Sequence, residues 1–344
     1  MLDTIRELSD IEGISGFEDM VAAYIHERLK DAPAVESITV DRIGNCIVHL
    51  KGKQPAPHRV VMAAHMDEVG GIVTGITDDG YLRFDAVGGV MPAVVYARRV
   101  SVNGHIGVIG GKAIHQCKDK EKTTVPAIAD MRIDIGADSR EEAERVVRLG
   151  DAVYFVSEYT NLGDGRFKAK ALDDRVGCAL LLQLAKTQPE YDVTLTFTVQ
   201  EEVGLRGATV VGNTLQPEYA VVIDATTAAD TAGVPTDKQV CRVGGGPVVS
   251  FMDRRTLYDH ELYTHIMSLA KQNGISAQTK TTIAGGNDAG AFQTAGMGAK
   301  VTAVSLPCRY IHSPACVLDA TDVDATYRLL ELLMNTLPAW NVTV

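Results

Sequence analysis

The period of the apolar positions changes several times along the chain. After Ser15-Gly16-Phe17-Glu18, which fits a capping box, Val21, Tyr24, Ile25 and Leu29 fall on one helical face. The first 30 residues therefore read as helical. An extended stretch comes next and ends in Cys46-Ile47-Val48-His49-Leu50. Beyond a loop at 51–58, Arg59-Val60-Val61-Met62-Ala63-Ala64 is a continuous apolar run, the pattern of a strand buried on both faces.

The texture changes after Gly70. From about 70 to 165 the chain alternates in short Val- and Gly-rich runs, punctuated by Asp78-Asp79-Gly80, Asn103-Gly104 and Asp164-Gly165. These dipeptides are hairpin-turn signals and predict a small all-β unit, a barrel. One helical patch interrupts it at 139–148, with Ser139 as N-cap. Beyond 166 the pattern predicts helices at 174–187, 257–272, 287–295 and 323–336, and strands at 194–199, 220–223 and 300–305. Alternating strands and helices imply an α/β fold with a mixed, mostly parallel sheet flanked by helices. The economical reading is one catalytic domain, residues 1–67 and 166–344, interrupted by an inserted β-barrel domain at 68–165.

Charge and composition narrow the partners. The 344 residues carry 33 Lys+Arg against 44 Asp+Glu, a net charge of −11, which disfavours nucleic acid as a partner. No run of apolar residues is long enough to span a membrane, and the charged N-terminus lacks the apolar core of a signal peptide. The six cysteines (46, 117, 178, 241, 308 and 316) form no CxxC pair, so a reduced, cytoplasmic protein is expected.

The chemistry lies just beyond the ends of the predicted strands. Strand 59–64 runs into His65-Met66-Asp67-Glu68 and strand 194–199 into Glu201-Glu202. Strand 220–223 runs into Asp224, strand 300–305 leads to His312, and Asp173-Asp174 stands at the start of the helix at 174. Open α/β sheets bind ligands beyond the carboxyl ends of their strands. Two histidines and several carboxylates on one edge, without thiolates, suit zinc, cobalt or manganese and exceed the needs of a single catalytic ion. A shared carboxylate would make a dinuclear centre. If the glutamate pair is extended, its side chains face opposite ways, so one can ligate while the other takes a proton from water. Asp67 can accept a hydrogen bond from the His65 nitrogen that is not on the metal.

The segments AAHMDEVG (63–70), KALDDRVGC (170–178), TVQEEVGLRGA (198–208), VVIDAT (221–226), GGNDAG (285–290) and CRYIHSPA (308–315) occur in that order. Together they resemble the glutamyl/deblocking aminopeptidases, metallopeptidase family 42, which includes the TET aminopeptidases. IDIGADSREEA (133–143) is similar to that family's insertion domain. The resemblance implies a zinc-exopeptidase-like fold and two divalent ions per chain, zinc or cobalt, with manganese possible. Asp173 would bridge the ions, His65 and Asp224 would complete one site, and Glu202 and His312 the other. Glu201 would be the general base acting on a metal-activated water, and Asp67 the residue that orients His65. It also implies a cis peptide at Asp173-Asp174 and a pocket-side Asp288, next to Asn287 where many relatives carry Thr. The implied activity is removal of the N-terminal residue from peptides with a free amino group. The implied assembly is a tetrahedral dodecamer of dimers formed through the β insertion. The alternatives are an endoglucanase-type glycoside hydrolase, which needs two carboxylates and no metal, and a non-catalytic peptide-binding homologue.

Overall fold

Strand burial alternates between two cores. In the computed structural model, which describes residues 1–341, Val60, Met62 and Ala64 pack into one apolar cluster, and Val61 and Ala63 into another on the opposite face. Tyr219, Val221 and Ile223 divide from Ala220 and Val222 in the same way. Both faces are covered, which is why these runs are continuously apolar.

The chain opens with helices Leu2–Asp10 and Asp19–Leu29 and then strands β1 (Val35–Val40), β2 (Cys46–Leu50) and β3 (Val60–His65). Six more strands come next: β4 (Gly70–Ile76), β5 (Leu82–Val87), β6 (Arg99–Val102), β7 (His105–Gly110), β8 (Arg132–Asp134) and β9 (Ala152–Phe155). They close into an antiparallel barrel in the order β4-β5-β8-β7-β6-β9. Its separate core holds Leu82, Val100, Val102, Ile109, Met131, Ile133 and Phe155. The next hairpin, β10 (Thr160–Leu162) and β11 (Arg166–Ala169), turns at the expected Asp164-Gly165. It leaves the barrel and pairs with β17 (Cys316–Asp319).

The remaining strands are β12 (Val193–Thr198), β13 (Tyr219–Thr227), β14 (Val248–Val249), β15 (Gln278–Thr279) and β16 (Lys300–Cys308). The main sheet runs β1-β2-β12-β3-β13-β16-β14-β15. Its centre, β12-β3-β13-β16, is parallel, and antiparallel pairings flank it. The sheet is therefore mixed and mostly parallel at its core, as the strand–helix alternation predicts.

Two local expectations are corrected, and one helix is unexpected. The helix expected at 139–148 is one turn, Arg140–Ala143, although Ser139 does cap it by accepting from the Glu142 N–H at 3.2 Å. The chain continues from it in turns, with the Val146 and Val147 N–H groups both bonding the Ala143 carbonyl. Helix Arg206–Leu215 has no sequence signal of the expected kind. The capping box at 15–18 does not form: Glu18 is itself the N-cap, and the Ser15 hydroxyl turns to Asp67. Among the described residues no helix is long and apolar enough to cross a membrane.

Candidate active site

Parallel register delivers the candidate residues to one edge. His65 is the last residue of β3 and pairs in register with Thr198 of β12, three residues before Glu201. Asp224 lies in β13, opposite Ser305 of β16, and His312 stands four residues beyond the end of β16. Asp173 and Asp174 open the helix Leu172–Leu184, the peptide bond between them is cis, and both residues are non-helical.

Asp173 stands between the two imidazoles. Its Oδ1 is 3.1 Å from His65 Nε2, and its Oδ2 is 3.4 Å from His312 Nε2. Asp224 Oδ1 is 3.9 Å from His65 Nε2, and Glu202 Oε2 is 3.3 Å from His312 Nε2. Ligand atoms of His65, Asp173 and Asp224 converge within 4.8 Å, as do those of Asp173, Glu202 and His312. A third such group joins His65, Glu201 and Glu202. Each of the seven residues singled out in the sequence is at this edge.

The far ring nitrogens are held by oxygen acceptors. His65 Nδ1 faces the Asp67 carbonyl at 3.1 Å and Asp67 Oδ1 at 3.3 Å. His312 Nδ1 faces the Gly89 carbonyl at 3.0 Å. Both Nδ1 atoms face acceptors and are placed to donate a proton to them. Each Nε2 is then left facing carboxylates, the orientation of a metal-ligating histidine. Gly89, just past β5 of the barrel, is a contributor that no sequence signal marks.

The glutamate pair departs from the expectation that it is extended. β12 ends at Thr198, Gln200 is left-handed at φ 56°, and the Glu201 carbonyl accepts from Gly204 and Leu205. The pair lies on a turn, and both side chains line one cleft of about 420 Å³ with Asp173, Asp224 and His312. Backbone alternation does not separate their roles. Asn287 also lines this cleft. Asp288 does not: it is 2% exposed and accepts from the Thr198 hydroxyl at 2.6 Å, and burial pushes its carboxyl up to about 6.

The electrostatics describe a crowd of carboxylates. Burial and then the neighbouring Asp173 charge push Glu202 up to about 8. Burial first, and nearby carboxylates second, raise Glu201 and Asp224 well above the ordinary range. Burial would lower the His312 imidazole, but its bond to Asp173 and the Glu202 charge raise it to about 10. Asp67 behaves differently. Burial pushes it up, yet hydrogen bonds from His65, Ser15 and the Glu201 N–H hold it below the usual carboxylate range. Protons and divalent cations are alternative ways of relieving the repulsion within such a cluster, and they compete for it.

Asp174 is buried beneath the site. Its oxygens accept from the His65 N–H at 3.3 Å and the Gly177 N–H at 3.1 Å. A Cβ on Gly177 would come within 2.4 Å of that carboxylate. Gly→Ala inside a helix ordinarily stabilises by about 1 kcal/mol. Here Gly177→Ala is expected to lower the melting temperature and weaken divalent-ion binding, measured by thermal denaturation and chelator competition. A more stable variant with unchanged ion affinity would contradict the close packing of Asp174.

The chain is similar to known proteins over nearly its whole length. The profile of the M42 glutamyl aminopeptidases matches residues 44–329. A putative aminopeptidase of Acetivibrio thermocellus is 37% identical over 332 residues, 96% of this chain and 97% of that protein. The structure of aminopeptidase APDkam598 from Desulfurococcus kamchatkensis superposes with a TM-score of 0.93 at 33% identity, over 99% of this chain and 98% of that one. The Pyrococcus horikoshii TET1 peptidase, described as assembling into a tetrahedron or a large octahedral shell, gives a TM-score of 0.86 at 35% identity, over 97% and 99%. The chain belongs to the M42 glutamyl aminopeptidase family.

Proposed function

We propose that the site holds two divalent cations and that the chain removes N-terminal residues from peptides, with Glu201 as the proton carrier. The observation that carries this reading is the pair of converging ligand sets that share Asp173. His65, Asp173 and Asp224 would hold one ion, and Asp173, Glu202 and His312 the other. The donor set fits: imidazole nitrogens and carboxylate oxygens, with each ring's other N–H held by an acceptor, suit zinc, cobalt or manganese. Such ions, when bound, polarise the scissile carbonyl and acidify water.

The protein's own groups do the rest. Glu201 faces the cleft and accepts a proton from the attacking water, then returns it to the leaving amine. Asp67 holds the Glu201 and Glu202 N–H groups at 3.0 and 3.1 Å and so fixes both side chains relative to His65. A substrate's free α-amino group would take a metal-bound or acidic partner at this end of the cleft, so an unblocked N-terminus is the proposed substrate. A tetrahedral homo-oligomer built through the barrel is part of the same proposal. It is supported by the TET1 likeness and by exposed Ile106, Val108, Ile114 and Val125 on and beside the barrel. Light scattering should give about twelve chain masses, and a lone chain or dimer would contradict the assembly. Six free cysteines are consistent with a cytoplasmic setting.

The test is a substrate panel before and after exhaustive chelation: aminoacyl p-nitroanilides, their N-acetylated forms, and a β-glucan. Only the unblocked anilides should be hydrolysed, with activity lost on chelation and restored by zinc, cobalt or manganese. Sugar release that survives chelation would overturn the peptidase reading in favour of a glycosidase.

A further inference from the structure

The loop joining the two N-terminal helices touches each of three segments that build the site. The Gly13 carbonyl accepts from the Glu68 N–H at 3.0 Å and from Arg175 Nη2 at 3.2 Å. Glu18 Oε1 accepts from the Gly16 N–H at 2.8 Å and from the N–H of Gln200, the residue before Glu201, at 3.0 Å. Between them the Ser15 hydroxyl donates to Asp67 Oδ2 at 2.6 Å.

Asp67 is 0% exposed, and its two oxygens divide four donors evenly. Oδ1 takes the Glu201 N–H at 3.0 Å and faces His65 Nδ1 at 3.3 Å. Oδ2 takes the Glu202 N–H at 3.1 Å and the Ser15 hydroxyl. Three of these donors belong to the groups that Asp67 must hold in place. Among the described residues Ser15 is the one donor from outside that set, and it makes the shortest of the four contacts. It is therefore the contact that can fix the carboxylate's rotation independently of the groups being aligned. Without it Oδ2 keeps the Glu202 N–H alone, and the carboxylate is held less firmly about its Cβ–Cγ bond against His65 and the glutamate turn.

We propose that Ser15 is a positioning residue for the metal centre. Its hydroxyl sets the Asp67 carboxylate, and through it the direction of His65 Nε2 and the placement of Glu201 and Glu202. The proposal rests on the dinuclear reading above. A role confined to capping or loop stability makes a different prediction, because removing the hydroxyl would then move the melting temperature alone.

The experiment compares the wild type with Ser15→Ala and Ser15→Thr, measuring zinc dissociation constants by chelator competition, kcat and KM on one p-nitroanilide, and melting of the metal-free proteins. Ser15→Ala should weaken zinc binding about tenfold and lower kcat by a similar factor, since such outer partners of metal ligands are worth roughly 10–100-fold. KM should stay within about twofold, because the hydroxyl meets no substrate. Ser15→Thr, which keeps the hydroxyl, should recover most of both losses. Zinc affinity and kcat unchanged in Ser15→Ala, or losses that Ser15→Thr does not recover, would overturn the positioning role. A wild type that binds no zinc would instead sink the dinuclear reading.

Discussion

Replacing Glu201 with glutamine should leave a folded protein that still holds two ions and turns over peptide about a thousandfold more slowly. General-base groups contribute roughly 10²–10⁴-fold, and glutamine keeps the shape of glutamate without its capacity to take a proton. Neither ligand set built on Asp173 includes Glu201. Its side chain lines the cleft beside both sets, where a proton carrier must stand. Glu201 does, however, converge with His65 and Glu202 in a third group of possible ligand atoms. Metal content by elemental analysis separates the two roles. A Glu201→Gln protein that loses its ions would make Glu201 a ligand.

Asp173→Ala should remove both ions where Asp224→Ala weakens one. Asp173 is the carboxylate whose two oxygens reach the two imidazoles, Oδ1 to His65 and Oδ2 to His312. Asp224 lies 3.9 Å from His65 Nε2 and joins the set built on His65. Without Asp173 each set retains two members, short of the three protein ligands usual for catalytic zinc. Elemental analysis of Asp173→Ala should give less than one ion per chain, and activity should fall to background. Retention of two ions would refute the shared carboxylate.

Part of the site is legible in the sequence because His65 ends a buried strand and Glu201 and Glu202 stand just beyond another, whereas Asp224 lies within β13 and Asp173 opens a helix. Continuous apolar runs such as Val60–Ala64 mark strands covered on both faces, and chemistry placed directly after them must meet at one sheet edge. The parts that are not legible depend on contacts between distant segments. Ser15 looks like a helix cap because Glu18 stands three residues on, yet its hydroxyl bonds Asp67, 52 residues away. The Gly89 carbonyl reaches His312 across 223 residues and carries no side-chain signal at all. Helix Arg206–Leu215 contains two glycines and a Val-Val pair, all poor helix formers. It forms through packing: a Cβ on Gly212 would come within 2.7 Å of the Ala295 methyl, so the glycine permits close approach to the segment after helix Ala289–Thr294. The glutamate pair departs from its expected extended form for a related reason. The strand signal runs through Val199, but the left-handed Gln200 turns the chain, and a residue other than glycine gives little local warning of that conformation.

Titration of the chelator-stripped protein with zinc, reading release of the N-terminal residue from an unblocked tripeptide and from its N-acetylated twin, tests the dinuclear aminopeptidase most directly. Activity on the free tripeptide should rise from background and level off at two ions per chain, with the acetylated peptide left intact throughout. Full activity in the stripped protein, a plateau at one ion, or equal cleavage of the acetylated peptide would contradict it.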